Sequence, residues 1–136
     1  PGHVARLSDA DAVLLQRLLE LMQAHGKRPP PPGELAPQLG LPLPDTTAFL
    51  ERAAALGHLV QIAKNRFFLP ATLQALVQVA RETAAASPDS RFEVIPFRDR
   101  SGLGRNLSIQ VLEYFDRVRI TRFVNERRSM VDGTAG

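Results

Sequence analysis

Apolar residues recur at helical spacing in the first part of the chain. The run RLSDADAVLLQRLLELMQAHG places them three and four positions apart, which is the spacing of one face of a helix. Ser8 suits the N-cap of this helix and Gly26 its end. The pattern therefore predicts a helix whose apolar face contains Leu14, Leu15, Leu18, Leu19, Leu21 and Met22.

Prolines, glycines and apolar runs in the rest of the first half predict two more helices and a hairpin. The prolines of KRPPPP predict an extended polyproline segment, because proline cannot continue a helix. GELAPQLGL predicts a short helix, and PDTTAFLERAAALGHL predicts a longer one that starts near Pro44 or Asp45 and ends at Gly57. The strand-like runs LVQIA and RFFL, separated by KN, then predict a hairpin.

The second half repeats this order. PATLQALVQVARETAAASP has helical spacing and predicts a helix that Pro88 ends. RFEVI predicts a short strand, and PFRDRSG predicts a short helix that Gly102 stops. GRNLSIQVLEYFDRV predicts a longer helix with Leu107, Val111, Phe115 and Val118 on one face. RITRFV and SMV, joined by NERR, predict a second hairpin.

A helix-turn-helix followed by a two-stranded wing is the winged-helix pattern, and this chain carries it twice. The predicted fold class is mainly α with small β-hairpins (α+β), in two tandem winged-helix domains at residues 1–70 and 71–136. Domains this small bury only about 60% of the surface of their unfolded chain. We therefore expect the two copies to lean on each other or on neighbouring parts of a larger protein. Little flexible linker is expected, because LPATL runs from the hairpin straight into the next helix.

Composition narrows the class of protein. The chain has 136 residues, of which 44% are hydrophobic and 23% charged, as in ordinary globular domains. It has no cysteine, which excludes disulfides and thiolate chemistry and fits a reducing compartment. No apolar run is long enough to cross a bilayer, and no signal-peptide layout is present. A soluble cytoplasmic protein with no membrane partner is expected.

Catalytic and metal-binding patterns are missing from the sequence. His3, His25 and His58 have no second ligand at metal-binding spacing, so no metal site is predicted. There is no GxxxxGK phosphate loop, and GLGRN does not match GxGxxG. Glu113 and Asp116 lie on a helix flank, where solvated charges are commoner than an acid-base pair. The chain is predicted not to be an enzyme and to have no catalytic residue.

Nucleic-acid binding has more support. Of the 17 cationic residues only Lys27 and Lys64 are lysine, which leaves 15 arginines, and the net charge is +3. Arginine presents a planar fork that pairs with phosphates and guanine edges. The helix that starts after Gly104 has free N–H groups and positive dipole character at its first turn. Arg105 there adds attraction for a phosphate, and Asn106 offers a donor and an acceptor to a base edge.

A second cluster of cations follows this helix, with Glu126 as its single acid. If NERR is the turn, Arg127 and Arg128 lie at the tip of the wing. This hypothesis requires the arginines to face one surface without being locked in internal ion pairs, and the alternative is that they are ordinary solvated charges. The cations considered are Arg119, Arg122, Arg127 and Arg128, with Arg98 and Arg100 on the short helix beside them.

The corresponding helix of the first copy starts with Asp45 and two threonines, so its first turn is expected to repel a phosphate. Lys64 and Arg66 are the only cations of its wing. The first copy is therefore predicted to be a spacer or packing module, and the second copy to bind.

The type of nucleic acid is less strongly indicated by the residues. A winged helix usually reads the major groove of duplex DNA, but the major groove of A-form RNA is too narrow for a helix. A polar first turn followed by apolar Leu107, Ile109 and Val111 favours end-on contact with an RNA loop, bulge or stem backbone. A dimeric regulator that binds duplex DNA is the alternative, and a protein-interaction module is the third possibility.

The stretch FRDRSGLGRNLSIQVLEYFDRVRITRFVNERRSMV resembles the last winged-helix domain of bacterial selenocysteine-specific translation elongation factors. The resemblance rests on FRD, a glycine turn followed by arginine, LEYFD and a Thr-Arg strand. The first half is similar to the preceding domain of that family through RLS, LL, PP, ELA and LV. This resemblance implies a C-terminal fragment of a larger GTPase, so GTP is expected to bind in other domains and no cofactor in this one.

The resemblance also implies the partners. In that family the terminal modules bind the mRNA hairpin, the SECIS element, that recodes a UGA stop codon, and they tether the factor with its selenocysteinyl-tRNA near the ribosome. A monomer is expected. Asn106 departs from the lysine common in the family, and Phe123 from a second arginine. Together, the residues and the resemblance place RNA binding on Arg98, Gly104, Arg105, Asn106, Arg122, Arg127 and Arg128.

Overall fold

The computed structural model describes residues 8–131, and His3 lies outside them. The chain divides into two compact units, Pro1–Thr72 and Leu73–Gly136. Each unit has helices in its first part and a hairpin at its end, and the predicted fold class, mainly α with small antiparallel sheets and two tandem winged-helix domains, is confirmed.

The first unit contains three helices and one hairpin. Ser8 caps the first helix through its Oγ, which accepts a hydrogen bond from the Asp11 N–H at 3.1 Å. The two strands pair antiparallel around a turn at Lys64–Asn65. The elements are α1 (Asp9–Ala24), α2 (Pro32–Leu39), α3 (Leu43–Ala55), β1 (Val60–Ala63) and β2 (Arg66–Phe68).

The proline segment ends earlier than predicted. Pro31 is extended, with φ −70° and ψ 162°, but Pro32 is already the first residue of α2. Proline is well suited to that position, because the first N–H groups of a helix have no partner within the helix. The expectation of an extended segment through all four prolines is therefore wrong for Pro32.

Apolar side chains from all three helices, from β2 and from the residue before β1 form the core of the first unit. Leu18 and Leu50 are fully buried, and Phe49 is 2% exposed. The helical spacing predicted from the sequence therefore corresponds to the buried face of α1. The other members of this core are Leu15, Met22, Leu35, Leu39, Ala53, Leu59 and Phe67.

The second unit has the same plan with one additional strand. The strand order in its antiparallel sheet is β3-β5-β4, so β5 lies in the middle. The predicted strand RFEVI is too long, because Val94 and Ile95 begin a helix in which Pro96 occupies the first turn. The elements are α4 (Pro70–Ala85), β3 (Arg91–Phe92), α5 (Val94–Ser101), α6 (Arg105–Arg117), β4 (Thr121–Val124) and β5 (Arg127–Met130).

The core of the second unit forms beneath α5 and α6. Phe97, Val111, Leu112 and Phe115 are fully buried. Phe92 of β3 stacks on Phe97, with ring centroids 6.4 Å apart. Helices α5 and α6 pack against each other, which fixes the position of the first turn of α6. The prediction that Val118 shares the apolar face of this helix is wrong, because Val118 is the C-cap of α6 and is 42% exposed.

The additional strand has a simple origin in the sequence. Arg66 and Arg127 each open the second strand of their hairpin, and each donates to a carbonyl of the segment that precedes the second helix of its unit. These acceptors are Pro29 O at 3.4 Å and Arg91 O at 2.9 Å. Prolines lack the N–H that a ladder needs, whereas Arg91 and Phe92 supply it. The same segment can therefore pair as a strand only in the second unit.

Candidate nucleic-acid interface

The first turn of α6 has the geometry of an anion site. Its N-cap is Gly104, with φ 83° and ψ 166°, and no side chain caps the helix. This backbone region is essentially restricted to glycine. The N–H groups of residues 105–107 have no partner within the helix, and the first turn contains no acidic residue. Arg105 and Asn106 are both exposed there, so the structure brings together Gly104, Arg105 and Asn106 as predicted.

The turn between α5 and α6 is held from inside. Gly102 ends α5 in the left-handed conformation, with φ 76°. The buried Ser101 donates to Arg98 O at 3.3 Å and accepts from the Leu103 N–H at 3.3 Å. Leu103 is 1% exposed. The turn is therefore anchored in the core on both sides of Gly102.

The first turn of α3 differs from that of α6 in charge. It contains Asp45, as expected, and its cap is Pro42. The hydroxyl of Thr46 donates to Pro42 O at 3.0 Å and is buried. A carboxylate beside the free N–H groups opposes phosphate binding at this turn. The role of the first unit as a spacer stays a prediction.

The wing of the second unit turns at Asn125 and Glu126. Both residues have positive φ, 54° and 66°, as a two-residue type I′ hairpin requires. Arg127 pairs across the hairpin with Val124, and Arg128 pairs with Phe123. The prediction that NERR forms the turn with both arginines at the wing tip is therefore wrong. A turn with two central residues places both arginines in β5.

Arg128 is a buried structural residue. Its guanidinium binds Asp116 with both Nε and Nη2, at 3.1 and 2.8 Å, and its side chain is 6% exposed. Thr121 Oγ1 donates to the same carboxylate at 2.6 Å. Asp116 is thus not the solvated charge that the sequence suggested, because it joins the last turn of α6 to both strands of the wing. Only the cross-strand register reveals this role.

Arg127 is also held inside the second unit. It pairs with Asp89 at 2.6 Å and donates to Arg91 O at 2.9 Å. The hydrogen bonds from Arg127 and then from Ser87 lower the pKa of Asp89 from 3.8 to about 2. Since this carboxylate is ionised at neutral pH, the pair links the loop before β3 to the central strand of the sheet.

The other cations differ in their availability. Arg98 pairs with its neighbour Asp99 at 2.9 Å, and its side chain is 37% exposed. Within residues 8–131, Arg105 and Arg122 are exposed and take part in no ion pair. The alternation of β4 places Arg122 on the face of the wing opposite Arg128. The expectation of one surface shared by all these arginines is therefore wrong for Arg128.

Residues 8–131 contain neither a membrane-spanning helix nor a cluster of metal ligands. Across residues 8–131, no helix is both long and apolar enough to span a membrane. The same residues contain no group of three or more His, Asp or Glu side chains that could hold a metal ion.

Comparison with known proteins gives consistent matches. Residues 84–130 match the family model described as elongation factor SelB, winged helix. The selenocysteine-specific elongation factor of Escherichia coli is 31% identical over 129 residues, which cover 90% of this chain and 19% of that protein. That of Haemophilus influenzae is 38% identical over 74 residues, or 54% of this chain and 12% of that protein.

A solved structure matches the whole fold. The mRNA-binding domain of elongation factor SelB from E. coli, solved in complex with SECIS RNA, superimposes with a TM-score of 0.82 at 28% identity. The match covers 93% of this chain and 100% of that one. The chain spans less than a fifth of the length of these two curated relatives, 19% and 12% respectively.

Proposed function

Because the chain carries the winged-helix region of the selenocysteine-specific elongation factor family, we propose that it binds an mRNA hairpin. The observation that carries this proposal is the match to the E. coli domain, whose structure contains SECIS RNA and whose fold covers 93% of this chain. The chain is a binding module and not a catalytic one. Its contribution to translation is to hold the RNA.

The RNA is bound at the first turn of α6. A backbone phosphate approaches the free N–H groups of residues 105–107 beside Gly104, where no Cβ stands in its way. Arg105 supplies the positive charge for that phosphate, and Asn106 reads the edge of an unpaired base. Arg122 contacts the backbone from the wing.

The remaining predicted arginines have a different role in this proposal. Arg127 and Arg128 stiffen the wing through Asp89 and Asp116, and they do not contact RNA with the groups already engaged there. Arg98, partly exposed and paired with Asp99, contributes a long-range attraction. Preorganisation of the wing lowers the entropy lost on binding.

The proposal extends to the larger assembly through the similarity to full-length elongation factors. Within a full-length factor, the chain tethers the GTPase and its selenocysteinyl-tRNA beside the ribosome at a recoded UGA codon. GTP binds elsewhere in that factor. The first unit serves as a spacer, in keeping with the acidic first turn of α3.

A titration distinguishes this function from binding to duplex DNA. The probes are an RNA hairpin that lies just downstream of an in-frame UGA codon and a linear DNA duplex with the sequence of its stem. At two salt concentrations, the hairpin is expected to bind more tightly, with a slope of log K against log salt of about −2 if roughly three phosphates are contacted. Tighter binding to the duplex would favour a transcription regulator. RNA affinity without salt dependence would favour a protein-interaction module.

A further inference from the structure

Phe123 is an exposed aromatic side chain on the wing. It lies in β4 and is 47% exposed, whereas the other phenylalanines of the second unit, Phe92, Phe97 and Phe115, are buried. A large apolar ring at the surface has an energetic cost in water unless something covers it. Since Phe92, Phe97 and Phe115 already fill the core, Phe123 is not needed there.

The ring is held in place from one side. The guanidinium carbon of Arg128 lies 4.3 Å from the centroid of the Phe123 ring. Arg128 is itself fixed by three hydrogen bonds to Asp116, at 2.8 to 3.1 Å. The guanidinium covers one face of the ring, and the exposed area therefore lies on the remainder. Such a ring loses little freedom when a flat ligand stacks on it.

The surroundings of Phe123 favour a nucleotide. Phe123 borders a cleft of about 290 Å³ whose lining also contains the exposed cation Arg119. Arg122 follows the other face of β4 and does not share the side of the wing on which the ring lies. The one acid in that cleft, Asp116, is already neutralised by Arg128. An aromatic ring beside an exposed cation provides a stacking surface for a base and positive charge for its phosphate.

We propose that Phe123 stacks against an unpaired base of the bound RNA and thereby selects hairpins that carry a bulged or looped nucleotide opposite the wing. This inference rests on the proposed function, because it needs the hairpin to bind at α6. Arg128 and Asp116 act as positioning residues that keep the ring in a stacking orientation. A fully paired stem offers Phe123 no base face.

The test uses the full chain and the hairpin described above, together with versions that carry an abasic residue at each unpaired position in turn. Phe123→Leu keeps an apolar side chain but removes the aromatic face, and it is expected to weaken binding of the intact hairpin about tenfold. Phe123→Tyr is expected to bind within about twofold of the parent chain, because the ring is retained. Neither substitution changes the charge, so the salt slope should be unaffected.

The abasic series locates the base. At one unpaired position, the abasic hairpin is expected to bind the parent chain and Phe123→Leu equally, because the stacking partner is already gone. Val118→Ala is the matched control, since Val118 is 42% exposed and lies at the end of α6 instead of on the wing. It should leave every affinity unchanged.

Two results would overturn the stacking proposal while leaving hairpin binding intact. One is that Phe123→Leu binds all hairpins as the parent chain does. The other is that it weakens all of them equally, abasic positions included, which would indicate a structural effect on the wing. If the parent chain bound no hairpin at all, the proposed function itself would fail, and the stacking proposal with it.

Discussion

Replacing Asp116 with alanine is expected to lower the free energy of unfolding of the second unit by about 3 kcal/mol. The substitution leaves the buried guanidinium of Arg128 without its counter-ion and Thr121 Oγ1 without its acceptor. An uncompensated buried charge is among the most destabilising defects of a folded domain. The measurement is urea-induced unfolding monitored through the fluorescence of Tyr114. Tyr114 is the only tyrosine in a chain without tryptophan, and it lies in α6, so its signal reports on that helix.

Asp99→Ala is the matched control for this prediction. It removes a carboxylate that also pairs with an arginine, at 2.9 Å, but the two side chains are 65% and 37% exposed. An exposed pair of this kind contributes less than about 1 kcal/mol. If Asp116→Ala cost no more than Asp99→Ala, the wing would not depend on the buried pair.

The first unit suggests a second variant. Phe67 is the second residue of β2, and Arg128 is the second residue of β5, so the two occupy equivalent positions. In the same way, Ala54 is the penultimate residue of α3 and Asp116 is the penultimate residue of α6. The first unit thus has an apolar pair where the second has an ionic one. The double variant Asp116→Ala/Arg128→Phe is expected to recover about 1–2 kcal/mol relative to Asp116→Ala, because the buried charge is removed as well.

Replacing Arg105 with alanine is expected to weaken binding of the RNA hairpin by about 1–3 kcal/mol, or roughly 5- to 150-fold in Kd. Arg105 is exposed in a first turn without acidic residues, so its charge and the free N–H groups act on the same phosphate. If its contact is to a phosphate, the salt slope should also become shallower by about 1. The measurement is a hairpin titration at two salt concentrations.

Arg17→Ala provides the control for Arg105→Ala. It makes the same change of net charge at an exposed arginine on α1 of the first unit. It is expected to change the affinity for RNA only slightly, because salt screens the attraction between a distant exposed charge and the RNA. Equal losses for the two variants would mean that the chain binds RNA through its total charge and not through α6.

The first turn of α6 could be predicted from local sequence alone. Gly104 before an apolar helical pattern, with Arg105 and Asn106 in between, specifies the helix start and its exposed polar residues without any tertiary information. The structure has α6 begin at Arg105, as that pattern requires. The roles of these residues in RNA binding are not fixed by geometry and stay predictions.

The wing could not be predicted to the same accuracy. Whether Arg127 lies in a turn or in a strand depends on turn length, and NERR fits a longer loop as well as the two-residue turn at Asn125 and Glu126. A shift of one residue exchanges the two faces of a strand. Burial of Arg128 therefore followed only from the register of β5 with its neighbours.

Ion pairs between residues far apart in the chain could not be predicted from the sequence either. Arg127 and Asp89 are 38 residues apart in the chain, and a third strand brings them together. The sequence indicated that strand but gave it too many residues, because the apolar pair Val94 and Ile95 suits a strand as well as a helix start. Arginine-rich stretches thus indicate surface charge more reliably than they indicate which arginines are free.

The central claim, that RNA meets the first turn of α6, is tested most directly by following backbone amide chemical shifts while the hairpin is added to the full chain. The N–H signals of Arg105, Asn106 and Leu107 are predicted to show the largest changes, with Arg122 on the wing also affected. Signals from the first turn of α3 should stay unchanged. Shifts concentrated in the first unit, with the signals of residues 105–107 unmoved at saturation, would contradict the account.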